Sequence, residues 1–247
     1  MSLNELSRGF DRDIYNGLLT IEEANKTARA DDGLDEFLNS ASRLFVSHNL
    51  HHRFGVGLLH NHNQCQDDER MIQYNCTVNN EKALVTMPVS KDTDLQSEVP
   101  SVWALSGRNF YPLEFTTDRV AQDLLFAGEV PTPFLEDYVD LVNSSPVGSM
   151  FGLAVVERTM YRFAHPNQIA LEQTDTTERK NVVFLRSRGA VAKSIQTAWT
   201  FEAHANAAAG TIRAETHCAA TCRTECIIDN GVHSGPIHFD HHIVAPD

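Results

Sequence analysis

Histidine is the side chain most often used to hold a metal ion or to move a proton near neutral pH. Eight of the twelve histidines in this chain fall into two clusters: His48, His51, His52, His60 and His62, then His238, His241 and His242. Within the first, His60-Asn61-His62 has the most useful spacing. A His-x-His pair on a strand sets both rings on one side, roughly 6–7 Å apart at the backbone, which suits chelation of one ion. Two imidazoles need a third ligand.

An internal echo offers one. Phe54-Gly55-Val56-Gly57-Leu58-Leu59-His60 reads much like Phe151-Gly152-Leu153-Ala154-Val155-Val156-Glu157. If the two strands lie side by side in matching register, Glu157 comes next to His60. The set His60, His62 and Glu157 then suits non-haem iron or catalytic zinc with an open coordination position. The spacing is superficially similar to the cupin pattern. It departs from that pattern because Gly57 stands too close to His60, the first downstream glutamate is Glu69 and no second motif follows. No family is assigned.

Three further groups carry ligand or acid–base chemistry. Cys218, Cys222 and Cys226 are spaced four apart, a slowly drifting stripe if helical, and with His233 they form a candidate structural zinc set. Glu202 and His204 alternate on one face of an expected strand and form a candidate acid–base pair, whereas Trp199, Phe201 and Ala203 form its other face. Cys65 follows His62 closely enough to be considered as a thiol ligand or nucleophile. His48 and His52 lie on the apolar face of an expected helix and read as packed core residues. The alternating His238, Asp240 and His242 form a metal-competent tail.

These groups must be positioned by the surrounding elements. Leu34, Phe37, Leu38, Ala41, Leu44 and Phe45 recur at helical spacing, with Asp31 or Asp32 as the cap and an end near Asn49. A strand from Phe54 carries its alternation to His60 and His62, so about 20 Å separates them from His48 and His52. Strand pairs are expected around the Ser106–Asn109 turn, and a second helix follows Pro131 and Pro133, ending at Pro146. Further strands are expected at 150–160, 169–173, 182–186 and 197–204. The expected fold is α+β, a largely antiparallel sheet packed against two main helices. Residues 1–30 read as an N-terminal arm and 31–247 as one domain, with a Cys/His-rich segment from about 215 to 247.

Composition narrows the function. Lys and Arg number 20 against 33 Asp and Glu, a net charge of −13 that opposes nucleic acid and anionic membrane surfaces. No stretch approaches the roughly 18 apolar residues of a membrane span. Five cysteines without a leader-like N-terminus point to reduced thiols in the cytoplasm. Phosphate-loop, dinucleotide and nucleophile-elbow motifs do not occur. The leading expectation is a cytosolic metal-dependent enzyme with iron or zinc acting on a small organic substrate, either alone or as a homodimer. Two alternatives stay open: a metal-independent lyase, isomerase or cyclase using His and Glu, and a non-catalytic zinc-stabilised interaction protein.

Overall fold

The computed structural model of the chain describes residues 6, 9–30, 33–78, 80–95, 98–156, 167–191, 194–206 and 211–223. Its strands are β1 (Phe54–Leu58), β2 (Glu69–Val78), β3 (Glu81–Ser90), β4 (Val99–Ser106), β5 (Asn109–Thr116), β6 (Phe151–Val155), β7 (Gln168–Asp175), β8 (Lys180–Ser187), β9 (Ser194–Asn206) and β10 (Thr211–Arg223). They pair in the order β1-β6-β4-β5-β2-β3-β8-β7-β10-β9, and β9 returns to β1, closing the sheet into a barrel. Most neighbours are antiparallel, but β2 with β5 and β7 with β10 run parallel. The expected α+β arrangement of an antiparallel sheet against two helices is therefore corrected to a closed mixed β-barrel. Alternation along a strand reports which side is apolar; it does not report whether the two edges of the sheet meet.

The closure depends on small residues. Gly55 and Gly57 of β1 pair with Ala154 and Gly152 of β6, and Gly57 also faces Ala198 of β9. A Cβ on Gly55 would run into the carbonyl oxygen of Trp199, so only glycine lets β1 and β9 approach this closely.

The large residues of the same strands point outward. Phe54, Val56, Phe151, Leu153 and Trp199 join one buried cluster with the apolar faces of α3 (Gly33–Ser47) and α5 (Thr132–Ser144). Phe37 stacks on Phe151 with ring centroids 4.4 Å apart, and Phe45 meets Phe134 edge-on at 5.1 Å and Phe201 at 5.0 Å. α3 ends where Asn49 takes a left-handed φ of 55°, a C-terminal conformation that asparagine tolerates. Its expected caps, Asp31 and Asp32, lie outside the described residues.

Three shorter α-helices lie among the described residues: α1 (Arg12–Asn16), α2 (Ile21–Ala28) and α4 (Arg119–Phe126). Asp11 caps α1 by accepting from the amides of Asp13 and Ile14, and Thr20 with Glu23 forms a capping box at the start of α2. Tyr15 of α1 is 1% exposed and packs with Leu59, Met71, Val102 and Leu113. Stretch 9–30 thus packs on the barrel through Tyr15, Ala24 and Ala28. No helix among the described residues is long and apolar enough to cross a membrane.

Candidate metal centre

β1 stops at Leu58, so His60 and His62 lie in the loop that follows and not on the strand itself. That loop is tied down from several sides. The Leu59 amide donates to the Met150 carbonyl at 2.8 Å, and the Asn61 amide to the Leu19 carbonyl at 2.9 Å. Asn16 makes a reciprocal pair with Cys65: its Nδ2 donates to the Cys65 carbonyl at 2.9 Å, and its Oδ1 accepts from the Cys65 amide at 2.8 Å. Arg179, itself in a two-pronged pair with Glu69, donates to the Gln64 carbonyl at 2.6 Å.

The third ligand-type side chain beside His60 and His62 is Glu172 of β7, which the sequence alone does not single out. Ala170, Glu172 and Thr174 share one face of β7 and stand opposite Leu185, Val183 and Asn181 of β8. One ligand atom from each of His60, His62 and Glu172 lies within 4.8 Å of the other two. Glu172 Oε2 is 3.7 Å from His60 Nε2 and 3.5 Å from His62 Nε2, and these side chains are only 5–6% exposed. Such separations are long for hydrogen bonds. They are close to the roughly 3.3–3.5 Å between ligands that each bond one tetrahedral ion at about 2.0–2.2 Å.

Hydrogen bonds fix which ring nitrogens face the centre. His60 Nδ1 lies 2.8 Å from the Leu58 carbonyl, which can only accept, so the proton sits on Nδ1 and the lone pair on Nε2. His60 Nε2 is buried without a hydrogen-bond partner. Asn181 Nδ2 donates to His62 Nε2 at 3.3 Å, which leaves His62 Nδ1 to donate to Thr174 Oγ1 at 2.8 Å. The other carboxylate oxygen, Glu172 Oε1, accepts from Thr197 Oγ1 at 2.8 Å.

Thr197 reaches Glu172 through an irregularity. β9 pairs Trp199 with Cys218, Ala198 with Ala220 and Gln196 with Thr221, so Thr197 and Ala219 are extra residues in their strands. Thr197 and Ala198 consequently both line the cavity instead of alternating across the wall. The cavity measures about 50 Å³ and is lined from seven strands, with Tyr15, Glu114 and Glu172 among its polar walls. That is enough for a few waters, each needing roughly 10–15 Å³ of such space. Burial, with Glu114 nearby, pushes the Tyr15 hydroxyl well above its ordinary pKa, so it stays protonated and able to donate.

The other expected site residues fall elsewhere. Glu157 lies outside the described residues. The register that would have brought it to His60 is not the one formed, because β1 and β6 run antiparallel with Phe54 opposite Val155 and Leu58 opposite Phe151. Cys226, His233 and the 238–242 tail also lie outside the described residues. Cys218 and Cys222 stand on a strand, not a helix, so four residues carry them roughly 13 Å apart. Cys218 packs against the helix-side core and Cys222 beside Glu172. Burial raises both thiols, Cys218 to about 11, and it raises Cys65 to about 12 with help from Glu69. A buried, protonated Cys65 is a packing residue at neutral pH.

Glu202 and His204 meet at 3.5 Å but are 61% and 51% exposed, with Glu215 and His217 beside them. His48 packs over Phe134 and lies 2.9 Å from Asp137 of α5, while His51 and His52 follow the end of α3. β1 separates all three from His60. No family model, curated protein or solved structure matches the chain.

Proposed function

We propose that the chain is a cytosolic metal-dependent enzyme, with iron or zinc held by His60, His62 and Glu172, acting on a small organic substrate. One observation carries this reading: three lone-pair-bearing atoms converge in a buried place, and one of them, His60 Nε2, has no hydrogen-bond donor. Acceptors crowded out of water repel one another unless a cation lies among them. Two histidines and one carboxylate, with the ion displacing the Asn181 amide from His62 Nε2, would leave coordination positions open, as catalytic zinc and non-haem iron require.

A divalent ion there would polarise a substrate oxygen or activate water, or dioxygen in the case of iron. The chain's own residues supply the rest. Leu58 and Thr174 hold the imidazoles by their outer nitrogens, and Thr197 orients the carboxylate. Tyr15 presents a protonated hydroxyl on the cavity wall that can donate a hydrogen bond to a substrate oxygen, and Glu114 lines the same wall. The few-water cavity suits a small substrate.

The reading is tested by reconstituting the full chain with iron(II) or zinc, removing loose metal and measuring metal content. The chain is expected to keep one ion that both the His60→Ala/His62→Ala double variant and Glu172→Gln lose. Equal retention by folded variants overturns the reading.

A further inference from the structure

A second gathering of ligand-type side chains lies on the outer half of the β9–β10 hairpin, away from the cavity. Glu202 of β9 stands directly opposite Glu215 of β10, and His204 and His217 flank them from the two strands. Like charges facing each other across an antiparallel pair destabilise it. Both glutamates are solvent-exposed, and the cationic Arg213 of β10 stands on the same face, opposite His204.

The two imidazoles lie close to the carboxylates. His204 Nε2 lies 3.5 Å from Glu202 Oε2 and 3.3 Å from Glu215 Oε2, and His217 Nε2 lies 3.6 Å from Glu202 Oε2. One ligand atom from each of Glu202, His204 and His217 lies within 4.8 Å of the other two. His217 Nε2 is a buried atom with no hydrogen-bond partner. These separations again match the roughly 3.3–3.5 Å expected of ligands around one tetrahedral ion. They do not match good hydrogen bonds, although protonated histidines would be free to form them.

The geometry points to a second metal site, in which Glu202, His204 and His217 bind one zinc-class divalent ion that clamps β9 to β10, with the Glu215 carboxylate beside it, 3.3 Å from His204. Two carboxylates balance the charge of a divalent cation, and two imidazoles favour zinc, copper or nickel over calcium and magnesium, which select oxygen ligands. The ligands come from both strands, so the ion would cross-link the hairpin as a disulfide would, without thiols. The site is open to solvent and suits a structural or regulatory ion. It shares no residue with the cavity centre: five residues of β9, roughly 16 Å of strand, separate Glu202 from Thr197.

The test is equilibrium dialysis of the full chain against zinc, followed by metal analysis, on the wild type, His204→Ala/His217→Ala, Glu202→Gln/Glu215→Gln and His60→Ala/His62→Ala. Far-ultraviolet circular dichroism checks folding. Either hairpin variant is expected to lose about one zinc per chain and to lose part of the zinc-dependent rise in Tm, whatever the His60/His62 variant does. If one hairpin variant fails to fold, the other decides. Zinc content equal to wild type in a folded hairpin variant overturns the proposal and leaves the cluster as a solvated polar face of the hairpin.

Discussion

At the residue scale, the candidate centre is defined by the second contact that each ligand makes. His60 is aimed by the Leu58 carbonyl, His62 by Thr174, and Glu172 by Thr197. Removing such an outer partner leaves the ligands in place but loosens them, with typical costs of 10–100-fold in metal affinity. Thr197→Val keeps the shape and removes the donor. It is expected to weaken iron or zinc binding by about 10–100-fold, measured by competition with a chromophoric chelator, while Tm without metal stays within a few degrees. The pair His60/His62 was legible because the His-x-His spacing is local. Glu172 was not, because the two histidines it meets are 110 and 112 residues away in sequence. Its one local trace is a carboxylate in an apolar run, Ile169-Ala170-Leu171-Glu172. A buried charge in such a run demands a partner.

At the element scale, a ligand-bearing loop must be stiff to hold two imidazoles without the support of a strand. The reciprocal Asn16–Cys65 pair links α1 to that loop with two hydrogen bonds worth about 1 kcal/mol each. Asn16→Ala is therefore expected to cost about 2 kcal/mol, a fall in Tm of about 4–8 °C, together with weaker metal binding. An unchanged metal affinity would show that the loop is held elsewhere. Both main helices lie where the three-four spacing of their apolar residues predicts, since amphipathic periodicity is a local signal. The strand extension through His62 failed because alternation continued past the point where β1 loses its partner; β6 begins at Phe151, opposite Leu58. Cys218 and Cys222 lie on β10, so the stripe that a helix would have made of their spacing does not form; spacing by four is the same on either backbone.

At the scale of the whole molecule, closure converts an ordinary sheet into a container. The inward Gly55, Gly57, Gly152, Ala154 and Ala198 leave the room that the cavity occupies, while outward aromatics anchor α3 and α5. Periodicity could not disclose closure, because the β1–β9 seam rests on two paired positions, Val56 with Trp199 and Gly57 with Ala198. Gly55→Ala tests the seam: the added methyl meets the Trp199 carbonyl and is expected to cost about 1–3 kcal/mol, read as a lower midpoint in urea. A neutral effect would mean that the strands can part without penalty. Because the barrel brings β7, β8 and β9 to the loop after β1, this seam also keeps Glu172 and Thr197 within reach of the histidines.

An ion held by His60, His62 and Glu172 would be located by anomalous diffraction from crystals of the zinc- or iron-loaded chain. The expected result is an anomalous peak inside the barrel, about 2.0–2.2 Å from His60 Nε2, His62 Nε2 and a Glu172 carboxylate oxygen. A loaded crystal with its metal elsewhere and His60 Nε2 bonded to something other than an ion would contradict it.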